Sequence, residues 1–480
     1  MPSSLGDIQI DVLAGRQRSK DKPEPETPFR IAVLGDFSGR ANRRVRETGL
    51  AARKILRIDR DNFDQVLAKM RPELCLPGAG AIRFSELEDF HPDRLYERLD
   101  VFRNVTAGEL PELAEPEPAP GSTEARRHVS LDDLLNSPEE PPAARAKDDF
   151  SRFVENLVAP HLEPKSDPRE ANAQAAKDTA CGALMRGILH HRDFQALEAA
   201  WQGVFFLVRR IETGPELQIF LIDASKEELA ADLLPAEDLQ DTQAWELLVE
   251  STVGTPGAQP WSVLAGNYTF DSSLDDADLL ARMAMLASAA GAPFLAGASP
   301  RILGAESLAA QPRPENWKPD PDCSRIWAHV RALPEASWVG LTLPRLLLRM
   351  PFGEHSSPIE QFRFEEFTGV PTHEQYLWGN GTWASVCLIG QAFAEAGWRM
   401  RPGITLELDD IAAHLYHDDG ETKLKPCAEI LLTEHAADTM SDLGLMALAS
   451  LKGRDVVRLV RFQSIAEPAS ALSGRWGRCS

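Results

Sequence analysis

The chain has 480 residues, 43% of them hydrophobic and 26% charged, with a formal net charge of −22. That apolar content excludes wholesale disorder, and the length allows about three domains, or two and a long linker. So acidic a surface excludes nucleic acid and anionic membranes as natural partners, and there is no apolar run of about 18 residues for a membrane span.

The opening Met1-Pro2-Ser3-Ser4 leads into Asp7 and Asp11, without the basic stretch and apolar core of a secretory signal. The six cysteines (Cys75, Cys181, Cys323, Cys387, Cys427 and Cys479) form no C-x-x-C pair. They read as reduced thiols of a cytoplasmic protein with no zinc framework.

Residues 7–13 alternate, with Ile8, Ile10 and Val12 on one face and Asp7, Gln9 and Asp11 on the other. That is a strand pattern. A charged, Pro-containing connector from Lys20 to Pro28 separates it from the next element. A lone strand cannot satisfy its own backbone, so it must pair with a distant strand or another chain. Residues 30–34 read as a buried strand, followed by the turn Gly35-Asp36-Phe37-Ser38-Gly39-Arg40. Asp61-Asn62 is placed to cap a helix from Phe63 to Lys69. Ile82 and Phe84 indicate a strand, and Glu86 to Val101 a helix interrupted near Pro92.

Prolines then crowd the chain between 106 and 170, where a linker with one helix around Phe150–Val158 is expected. A second domain opens near Asp178, with apolar residues from Leu184 to Phe205 at helical spacing. Strands at 217–222, 261–265 and 294–296 alternate with helices at 226–233 and 275–290, an α/β pattern with parallel pairing. A strand at 339–343, a helix at 382–396 and a hairpin turning at Asp418-Asp419-Gly420 come next. A helix from Thr433 stops at Gly444, and a last strand spans 456–462. The expected class is α/β (mixed α+β).

Chemistry-bearing groups are few. The glycine-containing turn 35–40 follows a strand, as phosphate-cradling loops do, but it lacks the Walker Lys-Ser/Thr and the third glycine of a dinucleotide loop. His190-His191-Asp193 and His414-His417-Asp418 contain metal-ligand types, but adjacent helical residues point about 100° apart and the second set abuts a turn. Glu365-Glu366 and Asp409-Asp410 read as solvated charges. No G-x-S-x-G or H-E-x-x-H occurs, so no catalytic, metal or cofactor site is expected.

Two regions carry longer motifs. Residues 29–40 (FRIAVLGDFSGR) and 58–67 (IDRDNFDQVL), with the Phe84–Pro92 stretch, resemble the small sheath subunit of type VI secretion systems, the VipA/TssB family. Residues 339–353 (VGLTLPRLLLRMPFG), with Tyr376-Leu377-Trp378-Gly379-Asn380, Asp418-Asp419-Gly420-Glu421 and Ser441-Asp442-Leu443-Gly444, resemble the large subunit, VipB/TssC. The residues carrying the resemblance are Gly35, Asp36, Phe37, Gly39, Arg40, Asp61, Asn62, Phe63, Pro344, Arg345, Pro351, Trp378, Gly379 and Asn380.

The resemblance divides the chain into an N-terminal exchange strand and connector (1–20), a small-subunit-like domain (28–105), a Pro-rich acidic linker (106–177), a large-subunit-like domain (178–465) and a tail (466–480). The two subunits are separate chains in the family and fused here, and the large-subunit part stops short of the family's C-terminal region. What this implies is a contractile sheath component that assembles around a secreted inner tube and contracts to drive it outward. Its implied partners are itself or other sheath subunits, the tube protein and the baseplate. A disassembly ATPase of the ClpV type is a further one, although its recognition helix is not evident. The strand at Ile8, Ile10 and Val12 is the implied inter-subunit exchange strand. A non-polymerising cap or adaptor and a nucleotide-binding α/β enzyme are the alternatives.

Overall fold

The structure is a computed structural model that describes residues 23, 26–46, 49–107, 168–255 and 257–476. The alternating segment 7–13 lies outside these residues, as does the helix expected over Phe150–Val158.

The first described strand, β1 (Phe29–Gly35), shows why its seven residues are almost all apolar. Phe29, Ile31 and Val33 enter one hydrophobic core, and Ala32 and Leu34 enter another on the opposite face. A strand buried on both faces loses the polar alternation of a surface strand. Its partners are β5 (Leu217–Asp223) and β6 (Val263–Phe270), both parallel to it. Beyond β6 follow β7 (Phe294–Ala298), β8 (Val339–Leu343) and β14 (Leu445–Ser450), again parallel. Antiparallel strands finish both sides: β2 (Ile55–Ile58) outside β5, and β15 (Val457–Leu459) with β11 (Glu407–Leu408) outside β14. The order in this nine-stranded sheet is β11-β15-β14-β8-β7-β6-β1-β5-β2.

Helices cover both faces, as parallel crossovers require. One face carries α6 (Arg192–Arg210) and α10 (Thr382–Ala396), with α2 (Phe63–Met70) beside them. The opposite face carries α7 (Lys226–Leu233), α8 (Leu274–Ala290), α9 (Pro321–Arg331) and α11 (Glu434–Asp442). The start of α7 is fixed by a capping box: Glu228 N–H donates to Ser225 Oγ at 3.1 Å, and Ser225 N–H donates to the Glu228 carboxylate at 3.0 Å. Smaller units sit outside the sheet: the hairpin of β3 (Glu73–Leu76) and β4 (Gly80–Arg83), and that of β12 (His414–Asp418) and β13 (Glu421–Lys425). The pair β9 (Leu346–Leu347) and β10 (Trp378–Gly379) is the third.

The mixed α+β class is the one observed. The segments on either side of the Pro-rich stretch contribute to a single sheet and a single pair of cores, because β1 sits between strands of the later segment. Residues after Ala466 also dock: Leu472 and Trp476 are buried, and Arg475 Nη2 donates to Ala290 O at 2.9 Å.

Candidate functional site: the junction of the two segments

The joint between early and late residues is built around the turn after β1. Gly39 adopts φ +71°, and a Cβ there would lie 2.6 Å from the Glu73 carbonyl oxygen. Only glycine meets both demands. Gly39→Ala is therefore expected to lower stability by about 1–3 kcal/mol, read as a lower urea midpoint with an unchanged slope.

The turn delivers Arg40 into the body, where it is 3% exposed. Its guanidinium grips the Glu228 carboxylate with two bonds, Nε to Oε1 at 3.1 Å and Nη2 to Oε2 at 2.9 Å. It also pairs with the Asp223 carboxylate and donates to the Asp223 carbonyl at 3.0 Å. Burial opposes its charge, but the two carboxylates outweigh burial and hold the guanidinium protonated. Arg53 reaches the same Glu228 at 2.9 Å. Two arginines of the early segment thus meet carboxylates from β5 and α7, Arg40 in a bidentate geometry that a lysine could not copy.

Backbone and aromatic contacts complete the joint. Trp201 Nε1 donates to Phe37 O at 2.9 Å, and Phe63 meets the Trp201 ring edge-on at 5.8 Å. Phe29 stacks on Phe393 at 4.4 Å, and Trp398 Nε1 donates to Thr27 O at 2.7 Å. Phe84 stacks on Phe90 at 4.0 Å, and both face Phe194.

A cleft of about 290 Å³ opens at the carboxyl ends of β1, β5 and β6. α/β proteins commonly bind ligands where the chain departs to both sides of a strand. Here the amides that would hold a phosphate are taken. Phe37 and Ser38 N–H donate to Asp223 Oδ1, while Arg40 and Ala41 N–H donate to the Asp36 carboxylate. Burial holds the Asp36 carboxyl above its usual range, although those two amides pull it back. Asp193 and Glu227 add further carboxylates to the lining, and Lys226, its cation, is held by Asp276 and the Thr269 carbonyl, each at 2.7 Å. An incoming phosphate would meet anions where a nucleotide loop offers donors.

The remaining motif residues scatter. Asp61 bonds its amide to Asp59, and Asn62 stands at the N-cap of α2. Its side chain caps nothing in that helix; it binds the Asp59 amide and the Arg57 carbonyl instead. The expected cap is thus replaced by a turn-closing asparagine. Arg345, after Pro344, pairs with the buried Glu429 at 2.6 Å, and His373 Nε2 lies 3.0 Å from the same carboxylate. Burial opposes ionisation of Glu429, but these partners outweigh it and bring its carboxyl down to about 2. Trp378 Nε1 donates to His373 O, and the Pro351 carbonyl accepts from Ser356. Gly379 closes β10, while Asn380 bridges the Tyr268 carbonyl and the Thr382 amide.

The histidine sets and the Glu365-Glu366 pair have partners of their own. Among the described residues no group of His, Cys, Asp and Glu is arranged to hold a metal ion. His191 instead caps α6 through Nδ1, and His414 Nδ1 lies 2.9 Å from the Tyr376 hydroxyl. Glu365-Glu366 is not a solvated pair: Glu366 is 1% exposed and bound to Arg349. Sequence reading missed this because Arg349 and its other partner, Glu198, are 151 residues apart. No helix among the described residues is long and apolar enough to cross a membrane.

Residues 173–466 match the VipB family model, described as EvpB/VC_A0108, tail sheath N-terminal domain. Residues 10–139 match the model described as type VI secretion system, VipA, VC_A0107 or Hcp2. The chain is 31% identical over 380 residues to the type VI secretion system sheath protein TssC1 of Pseudomonas aeruginosa, covering 75% of each. With more than half its length matched by the tail-sheath model and its early segment by the VipA model, the chain belongs to the sheath proteins of type VI secretion systems.

Proposed function

We propose that this chain is a fused sheath subunit, a protomer that carries both halves of the sheath in one polypeptide. It assembles with further sheath subunits in the cytoplasm around an inner tube and contracts to drive the tube outward. The observation that supports this most is the position of β1. The VipA-like strand lies between two VipB-like strands, so one chain furnishes a complete sheet. In this reading the chain does mechanical work and catalyses no reaction; the arrangement of carboxylates on the turn amides supports that. The tube protein, the baseplate and a ClpV-type ATPase are its further partners.

Residues 7–13 then act as the strand that links subunits. Backbone hydrogen bonds between chains hold neighbours together while folded bodies rotate about the connectors. Electron microscopy of the purified protein, alone and with the tube protein, is expected to show tubular polymers. Deleting residues 1–20 should reduce them by at least about tenfold, a loss of roughly 1.4 kcal/mol per contact or more. Monodisperse monomer under every condition would refute the sheath role.

A further inference from the structure

The β12–β13 hairpin stands outside the large sheet, and among the described residues no backbone hydrogen bond ties its strands to the rest of the chain. A two-stranded hairpin is marginal by itself in water, so side chains must hold this one. The hold is at its base, where His414 and Lys425 are cross-strand partners. The His414 ring packs against Phe367, and its Nδ1 lies 2.9 Å from the Tyr376 hydroxyl. Lys425 Nζ lies 3.0 Å from His373 Nδ1, with the rings of Tyr376 and Trp378 at 5.2 and 5.4 Å. Farther out, the Lys423–Asp418 pair stays within the hairpin, and Leu415 is 61% exposed.

The lysine fixes the His373 tautomer. An ammonium only donates, so Nδ1 accepts and the ring proton sits on Nε2. That N–H donates to Glu429 Oε1 at 3.0 Å. Glu429 is also bound by Arg345 at 2.6 Å, and Glu374 stands 4.0 Å from Nε2. The ring stacks on Trp378 at 4.9 Å, which holds its plane. A second proton on His373 has one place to go, Nδ1, where it would point at the Lys425 ammonium, donor against donor and cation against cation. Glu429 and Glu374 remain beside Nε2 to balance an imidazolium. Lys425 has no carboxylate at ion-pair distance among the described residues, and burial already lowers its pKa against the pull of Glu429 and Glu374. Lys425 is therefore the group that must leave.

We propose that Lys425 and His373 form a pH-sensitive latch, closed while His373 is neutral and opened by its protonation, which frees the base of the β12–β13 hairpin. His414 is not the trigger. Burial lowers its pKa against the pull of Glu366 and Glu365, and a protonated ring could still donate to the Tyr376 oxygen. The closed latch excludes a proton that the open form takes up, so opening grows as the pH falls through the ordinary histidine value of about 6.5. Between pH 8 and pH 5.5 the open fraction should rise about tenfold.

Hydrogen–deuterium exchange of the full-length protein reads this directly. Rates over residues 412–426, corrected for the intrinsic effect of pH, should rise about tenfold from pH 8 to pH 5.5, while β14 keeps its protection. His373→Asn leaves a carbonyl oxygen where Nδ1 stood, able to accept from Lys425 and unable to titrate. Its hairpin should stay protected at both pH values. Lys425→Met removes the latch, and its hairpin should exchange fast at both. A parent hairpin with the same corrected rate at both pH values overturns the proposal, as does a rise shared equally by β14. So does a pH response as large as the parent's in either His373→Asn or Lys425→Met.

Discussion

Residues 168–480 produced without the first 107 are expected to aggregate, and to become soluble when residues 1–107 are made in the same cell. The reason is the place of β1. It pairs with β5 over seven positions and with β6 over four. Without it, two parallel strands present open edges, and both hydrophobic cores lose a wall. Phe29, Ile31, Val33, Ala32 and Leu34 are each 0% exposed. At about 1.5–3 kcal/mol for each large side chain, their burial contributes on the order of 10 kcal/mol, comparable to the whole stability of a typical domain. Removing Arg40 and Arg53 would also take two cationic partners from the buried Glu228.

The converse experiment separates the covalent link from the packing. A protease site placed near residue 140 should allow complete cleavage, after which the halves should still co-elute at native conditions and separate only in denaturant. A soluble 168–480 fragment with a cooperative unfolding transition would contradict this account, because the central strand would then be dispensable.

Sequence reading reached the elements whose signals are local. The helix Lys226–Leu233 is announced by Ser225 and Glu228, and the strand Val339–Leu343 by an apolar run between turn residues. The helix ending before Gly444 is stopped by a glycine at φ +81°. Other elements lacked such marks. The strand Leu445–Ser450 reads Leu-Met-Ala-Leu-Ala-Ser, which has no alternation and consists of good helix formers. Its conformation is set by pairing with β8, more than 100 residues earlier. The strand Ile55–Ile58 is only four residues long, too short for a periodic signal, and its pairing with β5 lies more than 150 residues away.

The site was legible in part. The turn 35–40 stood out by its glycines, but nothing in its spacing showed that Arg40 would turn inward to Glu228, 188 residues away. Long-range ion pairs leave no periodic trace, so an exposed and a buried arginine look alike in sequence. The same limit hid the pairing of β1 with β5, which joins the two segments into one body.

Arg349→Met is expected to lower stability by about 3–5 kcal/mol, more than any surface substitution. Arg349 Nε binds Glu198 Oε1 at 2.6 Å and Nη1 binds Glu366 Oε2 at 2.9 Å, with the guanidinium lying 4.3 Å over the Phe352 ring. The Glu198 and Glu366 side chains are 1% and 2% exposed, so removing the arginine takes the shared cation from two carboxyl groups buried away from solvent. The cost belongs to the abandoned charges rather than to the pair itself. The combination Arg349→Met, Glu198→Leu and Glu366→Gln should therefore be more stable than Arg349→Met alone, a strong non-additivity readable by urea denaturation.

Acid gives an independent handle on the same triad. Burial opposes ionisation of Glu366, but Arg349, His190 and the Phe352 amide outweigh it and hold its carboxyl at about 2. Its neighbour Glu198 goes the other way, because burial dominates there and pushes its carboxyl up despite Arg349. A carboxyl depressed in the folded state contributes stability that is complete above its unfolded value, about 4.3. That contribution is lost as the pH falls from there toward 2. Stability of the parent protein should fall through this window, and Glu366→Gln, which has no proton to take up, should show a shallower decline. Parallel curves for the two proteins would show that Glu366 does not carry the acid sensitivity. The arginine substitution would still test the triad, since its effect is present at neutral pH, where both Glu366 and its partner guanidinium are charged.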